Sequence, residues 1–190
     1  MRIILASQSI GRKRALDKLG IDYEVAPVNI DEKSIRDSDL YVMAEKITIA
    51  KAIEAGKKFN NSLIITGDLF TVFNGKVFEK PVDKQEAIEM LRAFSGNEVD
   101  MISAAAVYNT ATNKLSHAVD SCSITFRKIT EDEIQNYVDS YEVTRFAGAF
   151  ESDASGILFG EKIKGNPTLM TTGFPFNKVI EFLRENGVKC

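Results

Sequence analysis

The stretch Ile3-Ile4-Leu5-Ala6-Ser7-Gln8-Ser9-Ile10-Gly11-Arg12-Lys13-Arg14-Ala15-Leu16-Asp17-Lys18-Leu19-Gly20 decides how the rest of the chain is read. Its apolar start, Ile3 to Ala6, predicts a short buried strand that opens into small hydroxyl residues, a glycine and a basic cluster. The spacing then predicts a helix from Arg12 to Leu19, stopped at Gly20. A strand that feeds a helix N-terminus exposes backbone N–H groups and the positive end of the helix dipole at one spot. Arg12, Lys13 and Arg14 make that spot anion-seeking, the composition of a phosphate site. The competing reading is an ordinary serine N-cap followed by solvated cations. Basic residues in a first turn run against the dipole, and local conflicts of this kind mark functional sites.

With 190 residues, the chain has enough material for one full core, so a single domain over residues 1–190, two-lobed and sharing one sheet, is expected. Hydrophobic content of 44% with 27% charged residues is that of a globular protein. A net charge of −3 speaks against a dedicated nucleic-acid binder while leaving room for a local basic pocket. No apolar run is long enough to span a bilayer, and the N-terminus lacks the pattern of a signal peptide. Cys122 and Cys190 suit a reducing compartment and show no metal-ligand spacing, so the expected location is the cytoplasm.

Strand and helix signals alternate along the chain. Tyr23 to Val28 alternates as a half-buried strand, and Leu40 to Lys58 carries Met43, Ile47, Ala50 and Ile53 at helical spacing. Leu63 to Thr66 predicts a short buried strand ending at Gly67-Asp68, and Thr71 to Phe78 a hairpin around Asn74-Gly75. A helix follows from Asp83 to Phe94, closed by Ser95-Gly96. Val99 to Asn109 and Lys114 to Lys128 read as an antiparallel pair. Thr130-Glu131-Asp132-Glu133 predicts a capping box on a helix to Tyr141. A strand near Ile157 to Phe159 and a helix from Phe176 to Asn186 complete the chain. The fold class expected is α/β: a mixed, elongated, twisted sheet flanked by helices, in two lobes with a cleft between them.

Several residues are placed to carry chemistry. Asp68 follows a buried run and a glycine, and acids outside the carboxyl ends of strands hold metals or water, although a loop-capping aspartate reads the same way. Asp31-Glu32 offers a second acidic pair at a comparable strand end, although acids in loops are frequent and ordinary loop residues read the same way. Pro81 ends the hairpin and gives Lys80 a fixed exit point. Lys51 sits among Ala50 and Ala52, either lining the site or solvated on a helix face. His117, the single histidine, reads as a surface residue, which leaves a Ser-His-Asp machine or a histidine zinc site without support. Neither a P-loop nor a Gly-x-Gly-x-x-Gly run occurs. Strand-end carboxylates beside Arg and Lys near a helix start suit metal-assisted phosphoryl or nucleotidyl chemistry.

The order of segments resembles the Maf family, the septum-formation-type nucleoside triphosphate pyrophosphatases with an ITPase-like fold, over nearly the whole chain. The resemblance is carried by Leu5-Ala6-Ser7-x-Ser9-x-x-Arg12 before Leu16 and Gly20, by Asp31-Glu32, Ala50-Lys51-Ala52 and Gly67-Asp68, and by Lys80-Pro81 with Ala87 and Leu91. Ser95-Gly96, Ala147-Gly148-Ala149-Phe150 and Gly173-Phe174-Pro175 extend it. It implies hydrolysis of a nucleotide between the α and β phosphates with a divalent metal, Mg²⁺ or Mn²⁺. Asp68 then matches the proton acceptor that activates water, Arg12, Lys51 and Lys80 the phosphate-binding cations, and Ser7 the phosphate-loop serine. Glu32 matches the second acid, joining Asp68 at the metal. The implied partner is a nucleoside triphosphate, with no nucleic acid and no membrane, and a homodimer stays open.

Within the family, Ala147 to Ile157 is similar to the branch linked to 7-methyl-GTP more than to the dTTP/UTP branch. An acid at Asp153 would accept hydrogen bonds from the N1–H and amino group of a guanine-type base. Gly11, Leu69 and Asp153 depart from the family's usual residues at positions tied to base choice, while Asp68, Arg12 and Lys80 are intact. The expected activity is therefore that of a pyrophosphatase for a modified or noncanonical nucleotide, 7-methyl-GTP-like. The alternatives are a dTTP/UTP-type enzyme and a non-catalytic nucleotide-binding regulator of cell division.

Overall fold

Alternating apolar runs and capped helices assemble into a seven-stranded mixed sheet flanked by helices. A computed structural model describes residues 1–151 and 155–190. In chain order the elements are β1 (Arg2–Leu5), α1 (Ile10–Asp17), β2 (Glu24–Val25), α2 (Leu40–Gly56), β3 (Ser62–Phe73), β4 (Lys76–Phe78) and α3 (Lys84–Phe94). They continue with β5 (Glu98–Asn109), β6 (Lys114–Phe126), α4 (Glu131–Ser140), β7 (Gly160–Gly165), α5 (Thr168–Thr172) and α6 (Phe176–Glu185). The strand order is β2-β1-β3-β5-β6-β7, with β4 hydrogen-bonded to β3. β1 runs parallel to both β2 and β3, whereas β3–β4 and β6–β7 are antiparallel. The chain forms two compact units: residues 1–69, 103–120 and 172–190 make the first, and residues 70–102 and 121–171 the second.

In the first unit, β1 is apolar without alternation because both of its faces are covered, as parallel strands require. Ile3 and Leu5 join Ala15, Leu16, Val179 and Phe182 from α1 and α6, while Ile4 and Ala6 join Ala55 of α2. Its neighbour β3 repeats the pattern, with Leu63 and Ile65 on one side and Ile64 on the other. The α2 stripe buries Met43, Ala44, Ile47, Thr48, Ala52 and Ala55; Ile53, expected on it, is exposed.

In the second unit, α3 begins on Asp83, whose side chain accepts the Glu86 N–H at 2.8 Å. The Asn74-Gly75 turn has both residues at positive φ, +51° and +72°, a two-residue loop that suits the twist of a hairpin. Phe94 lies at the centre of the core, with ring centroids 5.7, 5.1 and 5.7 Å from Phe73, Phe78 and Phe126. Thr130 and Glu133 complete the expected capping box at the start of α4.

Four expectations need correction. α1 starts at Ile10, capped by Ser9, so Arg12 falls inside the first turn. Only Glu24 and Val25 of the Tyr23–Val28 run pair with β1, and both are exposed, while Tyr23, Ala26 and Val28 pack part-buried against the core from outside the strand. Residues 155–159 form a 3-10 segment, and the strand comes later, at Gly160–Gly165, against β6. Finally, β3 does not end at Gly67-Asp68 but runs on to Phe73, because Thr71, Val72 and Phe73 pair with β4.

Phe94→Ala removes a fully buried ring and is expected to cost about 3–5 kcal/mol in urea denaturation. The Glu133 carboxyl is pulled down from 4.5 to about 2, first by its hydrogen bonds with Arg127 and then by the Thr130 N–H. A depressed carboxyl contributes stability above its ordinary value and loses it as pH falls. Thermal denaturation should therefore show a loss between pH 4.5 and about 2 that Glu133→Gln reduces.

Candidate active site

The functional side chains of the first unit meet where β1 passes into α1 and where β3 crosses Gly67-Asp68. The Ser9 hydroxyl caps α1 by accepting the Arg12 N–H at 3.5 Å, and the Ser9 N–H is donated to Ser7 Oγ at 3.2 Å. The first N–H groups of a helix have no carbonyl a turn behind them, so those of Ile10 and Gly11 lack an acceptor within α1.

Arg12 does not extend into solvent. It is buried, and its Nε and Nη2 both donate to the Gly173 carbonyl, at 3.1 and 2.9 Å, while Nη1 donates to Ser7 Oγ at 3.0 Å. Burial pushes the guanidinium below its ordinary value, and the charges of Asp68 and Glu32 act the other way. Its remaining N–H groups, with the Ser7 hydroxyl hydrogen, are the donors left for a ligand. Lys13 and Arg14 are exposed on α1.

Asp68 occupies the middle of β3 and not a strand end. Its Oδ1 receives Lys51 Nζ at 3.0 Å, and the same ammonium reaches Glu32 Oε1 at 3.0 Å. Lys51 makes this bridge because it lies on the buried stripe of α2, three residues after Thr48 and four before Ala55. The solvated reading of Lys51 is therefore set aside: its side chain is 12% exposed and Asp68's is 13%. Gly67 must be a glycine here, since a Cβ would stand 2.9 Å from the Ala104 carbonyl oxygen and 3.0 Å from Arg12 Nε.

Asp68 Oδ2 is buried without a hydrogen-bond partner. A buried carboxylate oxygen in that state calls for a further ligand. Oxygen donors suit hard divalent cations, and Mg²⁺ is commonly held by one or two carboxylates together with waters and substrate phosphates. Among the described residues no group of three or more His, Cys, Asp or Glu side chains is arranged to hold a metal ion. Asp68 and Glu32, joined through one lysine, therefore fit the two-carboxylate type of site.

Sequence reasoning missed Ser103. It lies on β5 and is fully buried, and its hydroxyl donates to the Asp68 carbonyl oxygen at 2.6 Å. Nothing in Ser103-Ala104-Ala105-Ala106 announces that contact, which joins positions 35 residues apart. Other expected site residues are not brought into this cluster. Gly11 and Leu69 are partly exposed in α1 and β3, and neither presents a polar side chain. Lys80 belongs to the second unit, where it is exposed and lines an open groove of about 400 Å³ with Glu79, Glu86 and Glu89. Asp153 lies outside the described residues. His117 is a surface residue that pairs with Glu45 at 2.7 Å.

A family model for Maf-like proteins matches residues 2–186, and the chain belongs to the Maf family. It is 31% identical over 187 residues to the 7-methyl-GTP pyrophosphatase of Alcanivorax borkumensis, covering 98% of this chain and 95% of that protein. It is 29% identical over 186 residues to the 7-methyl-GTP pyrophosphatase of Pseudoalteromonas translucida, covering 98% and 92%. Among solved structures, a HAM1 protein from Coxiella burnetii aligns with a TM-score of 0.49 at 17% identity, over 97% of this chain and 99% of that one. No described helix is long and apolar enough to cross a membrane.

Gly67→Ala is expected to cost about 1–3 kcal/mol in urea denaturation, because the methyl group meets a carbonyl oxygen and the anchored guanidinium.

Proposed function

We propose that this chain is a nucleoside triphosphate pyrophosphatase acting on a modified purine nucleotide, 7-methyl-GTP-like, and releasing the monophosphate and pyrophosphate. The observation that carries the reading is the pairing of Asp68 with Lys51 and Glu32 while Asp68 Oδ2 stays unpartnered. The other acid of that pair, Glu32, is half exposed. The names of the relatives in Alcanivorax and Pseudoalteromonas support the purine.

In this reading the Ile10 and Gly11 N–H groups, the Ser7 hydroxyl and the spare Arg12 N–H groups bind phosphate oxygens. Arg12 is held in advance by Gly173, so little ordering is left to the moment of reaction. Asp68 takes the proton from the attacking water as the α–β bond breaks, and pyrophosphate leaves. Lys51 fixes the carboxylate and offsets part of the charge that gathers there. A divalent cation, Mg²⁺ or Mn²⁺, held by Asp68 and Glu32 would draw negative charge from the phosphates. Lys80 keeps the phosphate-binding role, and Asp153 the base-recognition role, that the family resemblance assigns them. Gly11 and Leu69 then leave space where larger side chains would restrict the base.

The test is pyrophosphate release from 7-methyl-GTP, GTP, dTTP and UTP, each with Mg²⁺ and with Mn²⁺. The expected outcome is turnover, greatest for 7-methyl-GTP, and a fall of about a thousandfold in Asp68→Asn with the circular dichroism spectrum unchanged. Asp68→Asn at wild-type turnover would sink the role of Asp68. A preference for dTTP or UTP would move the chain to the other branch. Tight nucleotide binding with no turnover by the wild type would favour a regulator.

A further inference from the structure

We propose that Ser103 is a positioning residue: its single hydroxyl hydrogen, shared between two backbone carbonyls, keeps the Asp68 segment in register with the Arg12 anchor. This rests on the reading of Asp68 as the group that activates water. Ser103 Oγ lies 2.6 Å from the Asp68 carbonyl oxygen and 3.2 Å from that of Gly173. A serine has one hydrogen to donate, so both contacts draw on the same donor. The Gly173 oxygen already accepts two bonds from the Arg12 guanidinium, at 3.1 and 2.9 Å, which fills its two lone pairs with charge-assisted bonds. The hydrogen therefore serves chiefly the Asp68 carbonyl, the shorter contact.

Two independent restraints then act on Asp68. Lys51 holds its side chain, 3.0 Å from Oδ1, and Ser103 holds its peptide group. The peptide restraint matters because Asp68 sits in mid-strand beside Gly67, a residue without a side chain to pack. Packing alone does not account for a serine here. Ala104, Ala105 and Ala106 follow it on β5, all buried, and an alanine at 103 would fill nearly the same volume. What the hydroxyl adds is a short bond to the Asp68 carbonyl, with Gly173 as a second and longer contact, in a place with no water-exposed surface to compete for it.

The experiment compares wild type, Ser103→Ala and Ser103→Thr. In Ser103→Ala, kcat for pyrophosphate release is expected to fall about tenfold while KM stays within about twofold, since the Ser7 and Arg12 phosphate donors remain. Ser103→Thr, which keeps the hydroxyl, should return kcat to within about threefold of wild type. Amide hydrogen exchange of the peptide covering residues 66–70 should speed up in Ser103→Ala and not in Ser103→Thr. Wild-type kcat in Ser103→Ala overturns the proposal. So does an equal loss in kcat and KM accompanied by faster exchange throughout the protein, the signature of a packing role. A threonine variant with wild-type Tm and no recovery of kcat also overturns it; if its Tm falls, the alanine variant decides. Should the wild type release pyrophosphate from no triphosphate, the reading of Asp68 fails, and exchange at residues 66–70 in Ser103→Ala decides separately whether the clamp exists.

Discussion

A buried guanidinium bound to one backbone carbonyl sets the conditions for the first unit. An arginine out of water is costly unless its donors are satisfied and its charge is answered. Arg12 meets both demands with the Gly173 carbonyl, the Ser7 hydroxyl and the fields of Asp68 and Glu32. Several separate features follow from this one placement. The segment before α6 must return to the start of α1, across 161 residues of chain. Position 67 must lack a Cβ, because Arg12 Nε is 3.0 Å from where one would stand. Ser9 must cap the helix so that its third residue turns inward.

The same placement explains the electrostatics. Arg12 and Lys51 are answered by Asp68 and Glu32, so the cluster is balanced within itself. Its unspent capacity is directional, consisting of N–H groups at the helix start and one carboxylate oxygen without a partner. Under the proposed function, the donors would take phosphate oxygens and the free acceptor the proton of a water. A chain with net charge −3 has little long-range pull on a polyanion, so the proposed function leans on these short-range donors.

Much of this was legible in the sequence where the deciding interaction spans a few residues. Asp83 and the Thr130/Glu133 box cap the helices expected of them, and Asn74-Gly75 turns the hairpin. Each depends on a hydrogen bond or a positive φ within four residues. The setting of Asp68 was misread: the apolar run stops at Thr66, whereas the strand continues because β4 folds back onto it. β2 shows the reverse error: the apolar residues of the run do pack against the core, but only Glu24 and Val25 of it are strand. Lys51 was ambiguous because the helical stripe depends on which face the sheet covers. Ile53 and Lys51 differ by two residues and end on opposite faces.

The sequence by itself determined the α/β class, most helix ends, the hairpin and the chemical inventory of Ser7, Arg12, Glu32, Lys51 and Asp68, because propensity, capping and periodicity are local quantities. Only the tertiary structure decided that Arg12 faces inward to Gly173, that one lysine bridges two acids, and that Ser103 touches the backbone of Asp68. The physical reason is range. Those contacts join residues from 17 to 161 positions apart, and a hydrogen bond between distant carbonyls and hydroxyls leaves no periodic trace in the chain that makes it.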